Sequence, residues 1–175
     1  KYNVDVYLGE AQFVGPHALE VAGQRLEFNR AVIATGGRAA LPSIPGLRET
    51  GCYTNETIFT LTELPRRLAV IGGGPVGCEL AQSFQRFGSA VTLLNEAKHL
   101  LPREDADTAA ILERQFLQEG ITLLNQTQIL RVEKRDTNIV LVYERNGQQA
   151  EVVCDALLCA TGRVPNLENL NLEAA

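Results

Sequence analysis

Between Leu68 and Phe84 the chain runs LAVIGGGPVGCELAQSF: four apolar residues, three consecutive glycines, a proline, and a further glycine two residues on. RLAVIG, from Arg67 to Gly72, has the length and continuous apolarity of a strand buried on both faces. From Pro75 to Phe87 the large apolar residues Val76, Leu80, Phe84 and Phe87 recur at helical spacing, and Gly88 closes the run. The loop between them fits G-x-G-x-x-G at Gly72, Gly74 and Gly77, with Gly73, Pro75 and Val76 filling the pattern. Alone that pattern is weak, but placed between a strand and a helix it is the fingerprint of a dinucleotide phosphate site. Gly72 permits the tight turn, Gly74 lets a pyrophosphate approach the backbone, and Gly77 brings the helix close to the strand. The helix N-terminus offers unpaired N–H groups and partial positive charge to phosphates. Pro75 in the first turn costs no hydrogen bond there.

The following residues continue the alternation that such a site needs. AVTLLN predicts a second strand, Asp105–Gly120 a helix capped by Asp105, ITLL a third strand, and QILRVEKR, NIVLVYER and QQAEVVC an antiparallel meander with an Asn146-Gly147 hairpin turn. ALLCATG then ends the unit. The expected fold class is α/β, a Rossmann-like parallel sheet with a β-meander as its last crossover. A ribose-reading residue belongs at the end of the second strand. Asn95 occupies that position, followed by Glu96, with Lys98 and His99 in the same loop. Glu79, two positions after Gly77, is expected in the first helical turn, where negative charge complements the helix dipole.

Ala34-Thr35-Gly36 and Ala160-Thr161-Gly162 each end an apolar strand-like run and are followed by Arg and Pro, which points to a duplicated domain. VDVYLG, AQFVG, ALEVA, RLEFN and RAVIATG predict short strands in the first 36 residues, and the first repeat lacks the strand–helix start that the second has. The organisation that follows is 1–36 as the end of one incomplete dinucleotide domain, 37–66 as a Pro-rich linker with a short helix near Thr60, 67–163 as a complete one, and 164–175 as a return segment.

With 45% hydrophobic residues and a net charge of −5 the chain can bury an ordinary core, and its acidity excludes a nucleic-acid surface. No apolar run reaches the ~18–20 residues of a membrane helix, no signal peptide opens the chain, and no metal site is expected. The absence of Met is expected of a piece excised from a longer protein. Four cysteines without a close-spaced framework imply a reducing, cytoplasmic compartment. Cys154 and Cys159, in one continuous extended run, would lie ~16 Å apart on opposite faces, beyond the ~7 Å reach of a disulfide, and are expected to be free thiols.

IATGGRAALPSIPG, LAVIGGGPVGCELAQSFQRFGSAVTLL, LLPRED and LLCATGRVPN together resemble the class I pyridine nucleotide–disulfide oxidoreductases, the flavoprotein family of dihydrolipoamide dehydrogenase, glutathione reductase and mercuric reductase. The mercuric-reductase-like branch is the nearest in pattern. The resemblance covers about Arg30 to Leu172. It implies an NAD(P)H-binding domain inserted in an FAD-binding one, with residues 1–36 belonging to the latter. Thr35 and Gly36 would lie near FAD, Gly162 near the nicotinamide nucleotide, and Ile129 beside the adenine. Glu79 would pair with a lysine of the FAD domain and help position the nicotinamide. The family's redox cysteine pair and its C-terminal dimerisation domain with a His-Glu pair are not in this sequence. The expectation is therefore an oxidoreductase fragment inactive on its own. It binds NAD(P)H with a lean to NADH, fails to retain the FAD of its parent, and comes from a homodimer. A flavin-dependent NADH oxidase or ferredoxin reductase, or a non-catalytic nucleotide sensor, are the competing readings. The residues that choose the final electron acceptor are outside the sequence.

Overall fold

The computed structural model describes residues 4–175 and divides the chain into two compact units, Lys1–Arg38 with Val164–Ala175, and Ala39–Arg163. Residues 1–3, the start of the polar opening KYNVDVYLGE, lie outside the described residues. The smaller unit is built on a three-stranded antiparallel sheet, β1 (Ala11–Gly15), β2 (Ala18–Val21) and β3 (Gln24–Glu27), in sequential order. Phe13 is buried under it with Ala18 and Val21, and meets Phe28 edge-on at 6.0 Å. The return segment attaches to β1: Phe13 N–H donates to the Leu170 carbonyl at 2.8 Å, and the Asn171 amide donates to the Phe13 carbonyl at 2.9 Å. The chain crosses between units inside two short strands, β4 (Gly37–Ala39) and β12 (Arg163–Pro165).

Two predicted strands of this unit are not strands. VDVYLG is irregular over its described residues, and RAVIATG is irregular up to Gly36, with Val32 91% exposed. A strand needs a neighbour's ladder to satisfy its N–H and C=O groups. Neither segment has one among the described residues, so their apolar pattern alone does not make them strands.

In the larger unit the α/β expectation holds. Four parallel strands lie in the order β11-β5-β6-β7, namely β5 (Arg67–Ile71), β6 (Ala90–Asn95), β7 (Thr122–Asn125) and β11 (Ala156–Cys159). Residues alternate across β5. Leu68 and Val70 join Val91, Leu93 and Leu158 against helices α2 (Pro75–Phe87) and α3 (Ala106–Gln118), packing on Cys78, Ala81 and Phe116. Ala69 and Ile71 face the other way, with Leu94, Leu157 and Cys159. That side is covered by Val132 of β8 (Gln128–Arg135) and Leu141 of β9 (Asn138–Arg145), and β10 (Gln148–Cys154) completes the antiparallel meander. With both faces covered, four successive residues of β5 are buried, which is why RLAVIG shows no period. The hairpin turn is a two-residue one, with Arg145 opposite Gln148 and both Asn146 and Gly147 at positive φ. No helix among the described residues is long and apolar enough to cross a membrane.

Helix α2 buries a different face from the one its large residues predict. Its buried residues are Gly77, Cys78 and Ala81, while Leu80 and Phe84 pack from the flank and Phe87 is 69% exposed. Small residues let the helix axis approach the sheet, so the larger ones end beside the contact. Asp105 stands at the N-cap of α3, but its side chain makes no capping bond.

The Pro-rich segment read as a linker packs into the larger unit. Leu47, in the short helix α1 (Leu47–Thr50), and Ile58, in a 3-10 turn ending at Thr60, are core residues. A side chain at Gly46 would sit 1.9 Å from the Val132 carbonyl, so α1 starts in backbone contact with β8. Beyond it Tyr53 bridges to Leu158 in parallel, donating to the Leu157 carbonyl at 2.7 Å and accepting from Cys159 N–H at 2.8 Å. At the far turn, Asp155 accepts from the Arg67 backbone at 2.9 Å and its guanidinium at 2.5 Å. The chain thus breaks between β10 and β11, and Cys154 and Cys159 do not share one extended run. Their side chains enter the same apolar cluster instead of opposite faces, and both thiols are free.

Glu119 ties the two helices together. Its carboxylate accepts from Arg86 at 2.6 and 3.0 Å, from Gln115 at 2.7 Å and from Gln82 at 3.0 Å. Chiefly through the Arg86 hydrogen bonds, its pKa is held down to about 2. An unfolded glutamate titrates near ~4.3, so this contribution to stability is complete above that pH. It fades as the pH falls toward 2, because the unfolded chain then binds the proton first. Glu119→Gln should flatten the acid limb of stability in that window and leave its slope near neutrality unchanged, as measured by denaturant unfolding at a series of pH values.

Candidate functional site

The carboxyl ends of β5, β6 and β11 open on a cleft of about 1130 Å³ lined by the glycine loop, the loop after β6, the start of β8 and the end of the second Ala-Thr-Gly run. Ligand crevices of open α/β sheets lie at this edge of the strands. The glycines of the loop are required for separate reasons. Gly72 has φ 110, and a Cβ there would lie 2.4 Å from the Ala160 carbonyl oxygen. At Gly77 a Cβ would lie 2.0 Å from the Gly72 carbonyl oxygen, so the first turn of α2 rests directly on the loop. Gly73 faces Asn95 and Leu100, at 2.7 and 2.9 Å from its virtual Cβ. Gly74 faces open space, with nothing within 4 Å.

Gly74 is also the N-cap of α2, extended at φ −76 and ψ 178, with no side chain capping the helix and Pro75 in its first turn. The loop is fixed from behind. Gly72 N–H donates to the Leu94 carbonyl at 2.9 Å, Leu101 N–H to the Gly73 carbonyl at 2.7 Å, and the Cys78 thiol to the same carbonyl at 3.5 Å. Burial, with Glu79 and Glu113 adding to it, pushes that thiol up to about 12, so Cys78 is a neutral donor at neutral pH. The result is a helix N-terminus with unpaired N–H groups, a side-chain-free approach at Gly74, and a rigid support. That arrangement suits a phosphate group.

Gly72, Gly73, Gly74, Pro75 and Val76 line the cleft, as do Asn95, Glu96, Ile129 and Gly162. Ile129 stands at a register shift between β8 and β9, the shift falling between Ile129 and Arg131. Gly162, at φ 132, has open space where a side chain would be. Its carbonyl accepts from Ala40 N–H at 3.0 Å, and the Thr161 hydroxyl donates to the Ala40 carbonyl at 2.7 Å. Thr35 and Gly36 belong to the smaller unit, where Asn166 holds them. The Thr35 hydroxyl donates to the Asn166 carbonyl at 2.5 Å, and Asn166 N–H donates to the Gly36 carbonyl at 3.0 Å.

Asn95 is placed differently from its expected role. It is only 5% exposed, and its amide donates to the carbonyls of His99 (2.9 Å) and Ala97 (3.3 Å) and to Asn125 Oδ1 (3.0 Å). Its Oδ1 accepts from Ala97 N–H at 3.4 Å. Asn95 thus lines the cleft with an amide whose hydrogen bonds are made within the loop after β6 and to Asn125. Glu79 is displaced from its expected position too. It is the fifth residue of α2, and the first turn contains no acidic residue, so it does not complement the helix dipole. Its carboxylate makes no hydrogen bond or ion pair among the described residues, and it does not line the cleft.

Two cleft residues were not legible from spacing. Arg103 is distant from Asn95 in sequence, yet the loop folds back at Leu101 (φ 50), where Glu104 N–H returns to the Leu101 carbonyl at 2.8 Å, and Arg103 lines the cleft with Glu96. The Leu-Leu-Pro turn was the available signal. Asn55 lines it from the segment read as a linker, with no signal of its own. Lys98 and His99 do not line it, and His99 Nδ1 lies 2.7 Å from the Leu100 carbonyl.

A family model described as "Pyridine nucleotide-disulphide oxidoreductase" matches residues 1–175. Mercuric reductase of Lysinibacillus sphaericus is 38% identical over 175 residues, covering 100% of this chain and 32% of that protein. Dihydrolipoyl dehydrogenase of Thermus scotoductus is 36% identical, covering 98% of this chain and 38% of that protein. Among solved structures, the Cu(II) complex of HOCl-induced flavoprotein disulfide reductase RclA from Escherichia coli matches with a TM-score of 0.85 and 34% identity, over 99% of this chain and 39% of that one. The chain spans about a third of the length of the curated relatives it matches.

The glycine geometry separates two substitutions that look alike in sequence. Gly77→Ala must push α2 off the Gly72 carbonyl and should destabilise the chain by about 1–3 kcal/mol, the usual cost of overpacking. Gly74→Ala meets open space at an ordinary backbone conformation and should unfold within ~0.5 kcal/mol of the parent. Urea titrations of the two variants, followed by far-UV circular dichroism, check this.

Proposed function

Because this chain belongs to the pyridine nucleotide-disulphide oxidoreductase family, we propose that its larger unit is the NAD(P)H-binding module of an FAD-dependent oxidoreductase. The smaller unit would then be the end of the FAD domain of the same enzyme, with Thr35 and Gly36 on the flavin side. The observation that carries the reading is the uncapped N-terminus of α2 behind a glycine with open space in front of it, at the strand edge of a cleft large enough for a dinucleotide. Bound nicotinamide supplies the hydride that the flavin accepts. The residues of this chain bind and orient: Gly74, Pro75 and Val76 at the pyrophosphate, Glu96 at the adenosine ribose, Ile129 beside the adenine, and Gly162 toward the nicotinamide. Glu79 is a positioning residue in this reading, its unpaired carboxylate meeting a cation from the flavin domain. The reaction of the whole enzyme and its final electron acceptor belong to the parts that its longer relatives have.

The nucleotide preference is for NADH. With Asn95 committed to its own loop, Glu96 is the polar group at the end of β6 that faces the cleft, and a carboxylate accepts from the two ribose hydroxyls. Arg103 is the group that would read a 2′-phosphate, but Glu96 and Glu104 line the cleft with it, and both repel the phosphate.

Placing a side chain at Gly74 fills the approach to the helix N-terminus without disturbing the fold. Gly74→Val should abolish NADH binding in calorimetry while keeping the parent's unfolding midpoint. Unchanged binding would exclude the loop as the phosphate site. Side-by-side titration at low salt should show NADH binding roughly two- to five-fold tighter than NADPH, the scale of a screened charge contact, and Glu96→Gln should narrow that margin. Tighter NADPH binding that disappears in Arg103→Ala would reverse the assignment.

A further inference from the structure

Helix α3 buries Ala109 and Phe116, and on the same stripe, four residues after Ala109 and three before Phe116, stands the half-buried Glu113. A carboxylate on a packed helix face is stable only where donors meet it. Here a single oxygen meets two: Oε1 accepts from Leu100 N–H at 2.9 Å and from the Asn125 amide at 2.8 Å. These bonds lead to the cleft by separate routes. Leu101, next to Leu100, donates to the Gly73 carbonyl at 2.7 Å. Asn125, in register with Asn95 across β6 and β7, accepts from the Asn95 amide at 3.0 Å through Oδ1. Asn95 in turn lies against Gly73 and is followed directly by Glu96. We propose that Glu113 and Asn125, neither of which lines the cleft, are positioning residues for the dinucleotide, holding the loop after β6 in the shape that presents Glu96 and supports the glycine loop. This role rests on the nucleotide reading of the cleft and extends it to residues behind the cleft wall.

The relay has one polarity, and it is fixed at both ends. The carbonyls of Ala97 and His99 can only accept, so the Asn95 NH2 group turns to them and its Oδ1 to Ala97 N–H. At the other end the Glu113 oxygen accepts, so the Asn125 NH2 group turns to it. Asn125 Oδ1 is then left to receive the Asn95 amide. Each amide has the one orientation that suits both of its neighbours. Reversing either would break contacts on two sides at once, which makes the connected set stiffer than its separate bonds. The relay also reaches the far wall of the cleft. Gln126 N–H donates to the Ala97 carbonyl and Thr127 N–H to the Asn95 carbonyl, both at 3.0 Å, so the turn that leads to Ile129 is bonded to the same loop.

Calorimetric titration of the full chain with NADH, beside amide hydrogen exchange at Ala97, Leu100 and Leu101, tests the relay. Asn125→Asp sets a second carboxylate against Glu113 where a donor stood. It should weaken NADH binding roughly three- to ten-fold, the scale of one lost hydrogen bond, and speed exchange at the three amides. Glu113→Gln should bind as the parent does, because one carbonyl oxygen can still accept both bonds. Combining Asn125→Asp with Glu113→Gln should restore affinity, since the new amide donates to the new carboxylate while its carbonyl keeps Leu100 N–H. Glu113→Ala removes both bonds without adding charge and should weaken binding likewise, which decides the case if Asn125→Asp does not fold. Glu119→Gln loosens α3 from α2 away from this loop and should leave NADH binding unchanged. The relay is overturned if the parent binds NADH and Asn125→Asp and Glu113→Ala bind it equally well. It is equally overturned if the combined variant is no better than Asn125→Asp alone, or if Glu119→Gln weakens binding as much. A parent that binds no NADH overturns the nucleotide reading and this role with it.

Discussion

Three backbone segments converge at the carboxyl end of β5 with no room for a side chain between them. The Gly72 turn lies against the Ala160 carbonyl, and the first turn of α2 lies against the Gly72 carbonyl at Gly77. This contact sets the height of α2 above the sheet, which is why its buried face consists of Gly77, Cys78 and Ala81. It also sets the direction in which the helix N-terminus points, and so where the cleft can receive negative charge. The contact joins residues near 72–77 to residue 160, so the geometry of the loop depends on β11 being docked beside β5.

Charge follows the same economy of placement. Polar groups near the cleft are satisfied internally: buried Asn95 by Ala97, His99 and Asn125, and half-buried Glu113 by Leu100 N–H and Asn125. The charged side chains lining the cleft are Glu96, Arg103, Glu104 and Arg163, the last of them paired with Glu56 at 3.8 Å. Separation of a rigid inner ring from a charged outer one keeps the loop after β6 in shape without requiring a ligand.

Much of the larger unit was legible because its elements carry unambiguous punctuation. The bounds of α2 follow from Pro75 and Gly88, those of the β9–β10 hairpin from Asn146-Gly147, and β5 from an apolar run too short for a helix. What failed had a common cause. Periodicity finds large apolar residues, and α2 packs through its small ones. Strand pattern finds apolar runs, and RAVIATG meets no ladder among the described residues. Spacing along the chain placed Asn95 at the right strand end but carried no information about which way its amide turns. Nor did it show that the loop from Glu96 to Glu104 folds back to bring Arg103 beside it. The Pro-rich segment looked open because Leu47, Tyr53 and Ile58 contribute single anchors rather than a period.

The strand order β11-β5-β6-β7 has a consequence for how the molecule comes to exist on a ribosome. Synthesis proceeds from the N-terminus, so β5, β6 and β7 and both helices are complete while the partner of β5 on its other edge is still unmade. During that interval Leu68, Ala69, Val70 and Ile71 form an unpaired apolar edge, a surface that invites pairing with another nascent chain. The segment around Tyr53, already synthesised, cannot shield it, because its own bridge is to β11. The meander, made next, covers one face but not the edge. The last four-residue strand therefore closes the sheet, aligns Ala160 with Gly72 and ends the period of greatest hazard in one step, and a ribosome stalled before residue 156 would release a unit with its sticky side open.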